Sequence, residues 1–224
     1  MHTHLKIKLT IAFIISTTIG AAIGIVGFKY QSNFGQWFSS KPTLYQTRND
    51  LLENQFESLN SIPVQWSQLL PESEKEILKK YQQVQASTPT EFADNILLSI
   101  QASTDKAFSA AMMSANSVDS FDEKAVSIAG FIVPIDYGDD KSLRNIFVVP
   151  YFGACLHFPP PPPNQMVFAQ LGEGFIDFNL TQAYRLHGVL RRGLFEDPLG
   201  TSAYILDVVY IEPFYDHPDN VRQH

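Results

Sequence analysis

The run KAVSIAGFIVPID, residues 124–136, marks the point where the periodicity of the chain changes. Upstream, apolar residues recur at helical spacing. From residue 118 onward they gather in short runs rich in β-branched and aromatic side chains, which is the signature of strands. Four further runs follow: RNIFVVPYFGA (144–154), NQMVFAQ (164–170), AYRLHGVLRRG (183–193) and SAYILDVVYIEP (202–213). Gly, Pro, Asn and Asp punctuate the gaps, as in YGDDKS at 137–142. Five such runs within about a hundred residues predict a small closed barrel or a tightly rolled sheet. Gly130 in mid-run suits a sharply coiled strand. The expected architecture is a mainly β domain, a five-stranded OB-like antiparallel barrel over residues 118–213, with a β-sandwich as the alternative.

Outward from the barrel the pattern is helical. Residues 88–114 place Phe92, Ile96, Leu97 and Ile100 at helical spacing behind Thr90 as N-cap. PESEKEILKKYQQ (71–83) reads as a short exposed helix, with acids in its first turn and Lys79 and Lys80 late, in the sense the helix dipole favours. Residues 30–65 read as a linker with a helix around 44–59. Together, residues 30–117 are expected to form a helical stalk, and 214–224 a polar tail. At the amino terminus, residues 9–28 run without a charge behind Lys6 and Lys8. Twenty residues rise roughly 30 Å as a helix, one hydrocarbon thickness. The apolar run is longer than that of a cleavable signal and no small-x-small cleavage site stands out, so residues 1–29 read as an uncleaved signal anchor, amino terminus in the cytoplasm and the remainder periplasmic.

The formal net charge is −7, from 16 bases and 23 acids. Removing residues 1–28 leaves 14 bases against those acids, or −9. This balance argues against a nucleic-acid binder, which carries a basic stripe. The single cysteine, Cys155, excludes an intrachain disulfide and Cys-x-x-Cys redox chemistry.

Cys155 lies in PYFGACLHFPPPPPNQMV, residues 150–167. With AGFIVPID (129–136) before it and PVQWSQLLP (63–71) further upstream, this phrase resembles the hallmark of a bacterial family of unknown function. Its members are lipoproteins or anchored proteins outside the cytoplasm. The resemblance covers roughly residues 62–212. It is carried by Trp66, Gly130, Pro134, Asp136, Pro150, Tyr151, Phe152, Gly153, Cys155, His157, the proline run, Asn164 and Gln165. It implies a setting beside ABC-type export or lipoprotein-release permeases, sometimes with zinc-responsive neighbours. The chain departs from many members in having no lipobox, so residues 9–28 would do the anchoring.

The phrase supports three chemistries. In an extended chain Cys155 and His157 face the same side, about 6–7 Å apart at Cα. A thiolate and an imidazole suit zinc or copper. A third ligand is needed, and Asp136 is the candidate, ahead of His187 or His217. His187, alternating with Arg185 and Arg191, reads as solvent-facing. A Cys-His nucleophile is the second chemistry, for which only Asn164 offers an orienting partner. The third is structural, with the cysteine packed beneath the loop. Pro159, Pro160, Pro161, Pro162 and Pro163 offer no backbone N–H and favour polyproline II. They can dock onto a partner or serve as a rigid crossover in which Asn164 and Gln165 bond to free carbonyls. Tyr151 and Phe152 belong to the same docking or structural loop. The expectation is a membrane-anchored periplasmic accessory of a transport complex, linked to transition-metal (zinc) handling and without enzymatic activity. A thiol- or metal-dependent envelope enzyme and a pure docking scaffold are the alternatives.

Overall fold

The computed structural model describes residues 43–81, 87–154 and 161–218. In chain order they form β1 (Tyr45–Gln46), α1 (Asp50–Ser58), β2 (Ile62–Val64), α2 (Glu72–Lys80), α3 (Pro89–Thr104), α4 (Lys106–Met112), β3 (Lys124–Tyr137), β4 (Leu143–Val149), β5 (Val167–Phe175), β6 (Ala183–Asp197) and β7 (Gly200–Phe214). Each of the five predicted runs contributes one of the strands β3 to β7.

These five strands close into a ring. β3 pairs with β4, β4 with β5, β5 with β7, β7 with β6, and β6 again with β3. Four of the ladders are antiparallel, whereas β5 runs parallel to β7 from Val167↔Tyr204 to Gln170↔Asp207. The expectation of an all-antiparallel barrel is corrected on this point, and the reason is parity. Strand directions cannot alternate all the way round a ring with an odd number of members. The β3–β4 and β6–β7 hairpins have short turns and must be antiparallel. With β4–β5 and β3–β6 also antiparallel, the parallel contact falls at β5–β7.

Side chains alternate between the two faces of the wall, as a period of two requires. Ile146 and Val148 point inward to a core with Val126, Ile128, Val167, Leu171, Leu186 and Leu206. Phe147 and Val149 point outward, into a second cluster with Tyr151, Ala154, Met166 and Phe168. Each fully buried aliphatic side chain contributes roughly 1.5–3 kcal/mol.

The expected stalk is in part barrel. β1 pairs with β7 and β2 runs parallel to β3. Tyr45, Val64, Trp66 and Leu69 are buried in the barrel's own core. Strands of two and three residues are too short to show a periodicity, so this region reads as linker. The helices lie close to their expected places, with local changes. α3 is capped by Thr88 and not Thr90: the Thr88 hydroxyl accepts from the Glu91 N–H at 3.2 Å, and the Glu91 carboxylate accepts from the Thr88 N–H at 3.0 Å. Pro89 then takes the first helical position, where its missing N–H costs nothing. Asp105 ends α3 and caps α4, accepting from Ala107 N–H at 2.8 Å. Hydrogen bonds from Tyr81 and Lys80 hold its carboxyl down at about 2.

Among the described residues no helix is long and apolar enough to cross a membrane. The predicted anchor at residues 9–28 lies outside them.

Gly130 permits a close approach in the barrel wall. A Cβ there would lie 2.7 Å from the Val149 carbonyl oxygen and 3.1 Å from the Trp66 ring. A backbone atom cannot yield as a side-chain end can. Gly130→Ala should therefore destabilise the fold by about 1–3 kcal/mol. Gly172→Ala, where a Cβ meets nothing within 4 Å, should stay within about 0.5 kcal/mol. Urea unfolding of the two variants makes the comparison, and equal losses would contradict the packing described.

Candidate functional site at the proline-rich crossover

The phrase is the crossover from β4 to β5. Both of its described ends are held down. On the entry side, Tyr151 and Ala154 are buried in the outer cluster. Phe152 is 52% exposed, and its ring packs edge-on to Phe131 at 5.8 Å. On the exit side, Pro161 and Pro162 are buried, and Pro162 has φ −61° and ψ 154°, the polyproline II conformation. Pro163, Asn164 and Gln165 then form a 3₁₀ turn that leads into β5.

The two amides fasten this turn. Gln165 Nε2 donates to the Trp66 carbonyl at 2.8 Å. The Trp66 indole Nε1–H donates across the wall to the Ala129 carbonyl at 2.7 Å. Asn164 Nδ2 donates to Glu74 Oε2 at 2.6 Å and to the Asn116 carbonyl at 3.0 Å. The other carboxylate oxygen, Glu74 Oε1, accepts from the Ser114 hydroxyl at 2.6 Å and from Asn116 Nδ2 at 2.9 Å. Glu74 thus lies buried among three neutral side-chain donors. Such a carboxylate is costly to bury unless its acceptor sites are filled. Tyr204 completes the shell: its hydroxyl donates to the Leu69 carbonyl and accepts from the Val118 N–H, each at 2.8 Å. Burial pushes the Tyr204 hydroxyl's pKa up.

The predicted chemical residues fare differently. Cys155, His157, Pro159 and Pro160 lie outside the described residues. Asp136 is exposed at the far end of the β3–β4 hairpin. Its Oδ1 accepts from the Asn145 N–H at 2.8 Å and its Oδ2 from Asn145 Nδ2 at 2.9 Å. It stands five strand residues, about 17 Å, from the Phe131↔Val149 pair where the crossover leaves the barrel. His187 is not solvent-facing: its side chain is only 12% exposed, stacked on Tyr210 at 4.0 Å and 3.7 Å from Glu212. The strand alternation gave its direction, but the neighbouring ring covers it. Among the described residues, no three His, Cys, Asp or Glu side chains converge on a position that could hold a metal ion.

Sequence reasoning missed Glu74, Ser114 and Asn116. Glu74 reads as one more solvated acid in the first turn of α2, and only the fold brings it to Asn164. A cleft of about 410 Å³ beside Tyr45, Thr47, Asn49, Gln170, Glu173 and Asp207 was also unannounced. Its carboxylates are engaged internally. Glu173 accepts from the Tyr45 hydroxyl and the Arg48 N–H. Asp207 takes a two-pronged bond from Arg191.

A family model described as "Protein of unknown function (DUF3299)" matches residues 66–213. The chain belongs to the DUF3299 family. The match begins at Trp66 and contains the whole crossover. A crystal structure of a DUF3299 family protein from Pseudomonas aeruginosa PAO1 is similar at 24% identity, covering 70% of this chain and 98% of that one, with a TM-score of 0.49. No protein of curated function matches the chain.

In this DUF3299 chain, the latch between Glu74 and Asn164 should be cooperative. Asn164→Ala should cost about 1–3 kcal/mol by leaving the buried carboxylate short of a donor. In a double-mutant cycle with Glu74→Ala, the coupling should reach about 1 kcal/mol. Additive effects in urea unfolding would contradict a direct buried bond.

Proposed function

We propose that the chain is a membrane-anchored accessory protein of the cell envelope, whose OB-like barrel presents the crossover as a rigid docking surface to a membrane transport complex. The order β3-β4-β5-β7-β6, closed and with its third and fifth strands parallel, supports the OB-like reading. OB-like barrels serve many unrelated roles, so the function must be argued from the site.

The observation that carries the proposal is the contrast within the crossover. Tyr151, Ala154, Pro161, Pro162, Asn164 and Gln165 are buried, while Phe152 stands half-exposed over Phe131. An aromatic ring already held in place loses little freedom when a partner arrives, and such groups make effective interface anchors. The outer wall beneath continues apolar, with Val133, Ile135 and Phe195 only partly covered. An anchor at residues 9–28 would keep the chain at the membrane, where integral membrane proteins are available as partners. On this reading the role is non-enzymatic, and a link to zinc or copper belongs to the partner system.

Photo-crosslinking in cells tests the proposal. A crosslinker replacing Phe152 should capture an integral membrane protein, and one replacing Leu199, which is 50% exposed at the β6–β7 turn, should not. Cys155→Ala combined with His157→Ala should leave capture intact. Loss of about one zinc or copper ion per chain in that variant, together with loss of capture, would replace docking with a metal centre at Cys155 and His157.

A further inference from the structure

The helix α3 carries a second surface that the crossover does not explain. Phe92, Ile96, Leu97 and Ile100 are 62, 46, 56 and 57% exposed. At about 100° per residue these four side chains lie within an arc of roughly 140°. Nothing charged falls inside that arc. The helix has two charged residues, Glu91 and Asp94, and both project from the opposite side. It packs against α4, and Ala102 is its one buried residue. Spacing of this kind normally marks a face packed on a core, yet here it faces outward.

We infer that this stripe lies on the surface of a lipid bilayer, with α3 flat in the headgroup region. The inference rests on the anchor reading of residues 9–28. Fourteen residues separate the end of that stretch from Thr43, where the described structure begins. Fully extended, they reach about 50 Å. A tether of that reach keeps the domain within range of the bilayer at high effective concentration, so a modest apolar stripe suffices. The charge pattern selects the lipid. With no Lys or Arg on α3 and acids on its upper side, the helix gains nothing from anionic headgroups and fits a neutral surface.

The full chain, reconstituted in phosphatidylcholine vesicles, provides the test. An environment-sensitive fluorophore is placed at Leu97→Cys or at Asp94→Cys, each in a Cys155→Ser background. Flotation reads the anchor, and quenching by lipid-borne against water-soluble nitroxides reads the helix. The lipid quencher should act several-fold more strongly at position 97 than at position 94. Phe92→Ser with Ile96→Ser, both at exposed positions, should abolish that difference while flotation persists. A floating chain with position 97 as aqueous as position 94 overturns the proposal alone. Protection of position 97 from both quenchers also overturns it, since a protein partner or a second copy then covers the face. A chain that does not float overturns the anchor reading and this proposal together.

Discussion

The fold turns on one buried tryptophan. Trp66 donates its indole N–H to the Ala129 carbonyl, and its main-chain carbonyl accepts from Gln165 Nε2. The next residue, Gly130, has no Cβ, which is what allows the ring to sit there. Three distant stretches of chain thereby meet at one residue that is 1% exposed. An indole N–H left unbonded at that depth would cost about 1–3 kcal/mol, so the contact is obligatory once the ring is buried.

Closure of the barrel and placement of the crossover are linked. β4 and β5 are neighbours in the ring, but a long segment joins them where a short turn would have served. Prolines within it cannot supply ladder hydrogen bonds. At its described ends, Tyr151 and Ala154 pack on the outer face with Phe147 and Phe168, and the 163–165 turn leads into β5. Asn164 then ties that turn to Glu74 on α2, so the helical region and the barrel share one polar latch. This arrangement fixes the exit turn of the crossover, residues 163–165, to both the helical region and the barrel.

The sequence showed the barrel clearly because β strands report themselves through alternation. Val126, Ile128, Ile146 and Val148 fall on one face, and Phe147 and Val149 on the other. The parallel β5–β7 contact was equally implied, since five strands in a ring cannot all alternate, but it follows from closure and not from any local pattern. Short strands escaped notice. Tyr45 and Gln46 have no periodicity to offer, and their pairing with β7 depends on residues more than 160 positions away. The site was half-visible for the same reason. Asn164 and Gln165 stood out as amides beside a run of prolines without donors. Glu74 did not, because a first-turn acid looks the same whether water or Asn164 satisfies it. The helical spacing of Phe92, Ile96, Leu97 and Ile100 identified α3 correctly, yet periodicity cannot say which environment covers the stripe.

Everything in this account depends on Trp66 being locked as an integral part of the barrel. Hydrogen exchange of its indole N–H, followed by NMR, measures that directly. Exchange should occur only through global unfolding, so the opening free energy equals the stability from urea unfolding. Gln165→Ala should lower both by the same amount. Rapid exchange of the Trp66 indole from a chain that remains folded would contradict it.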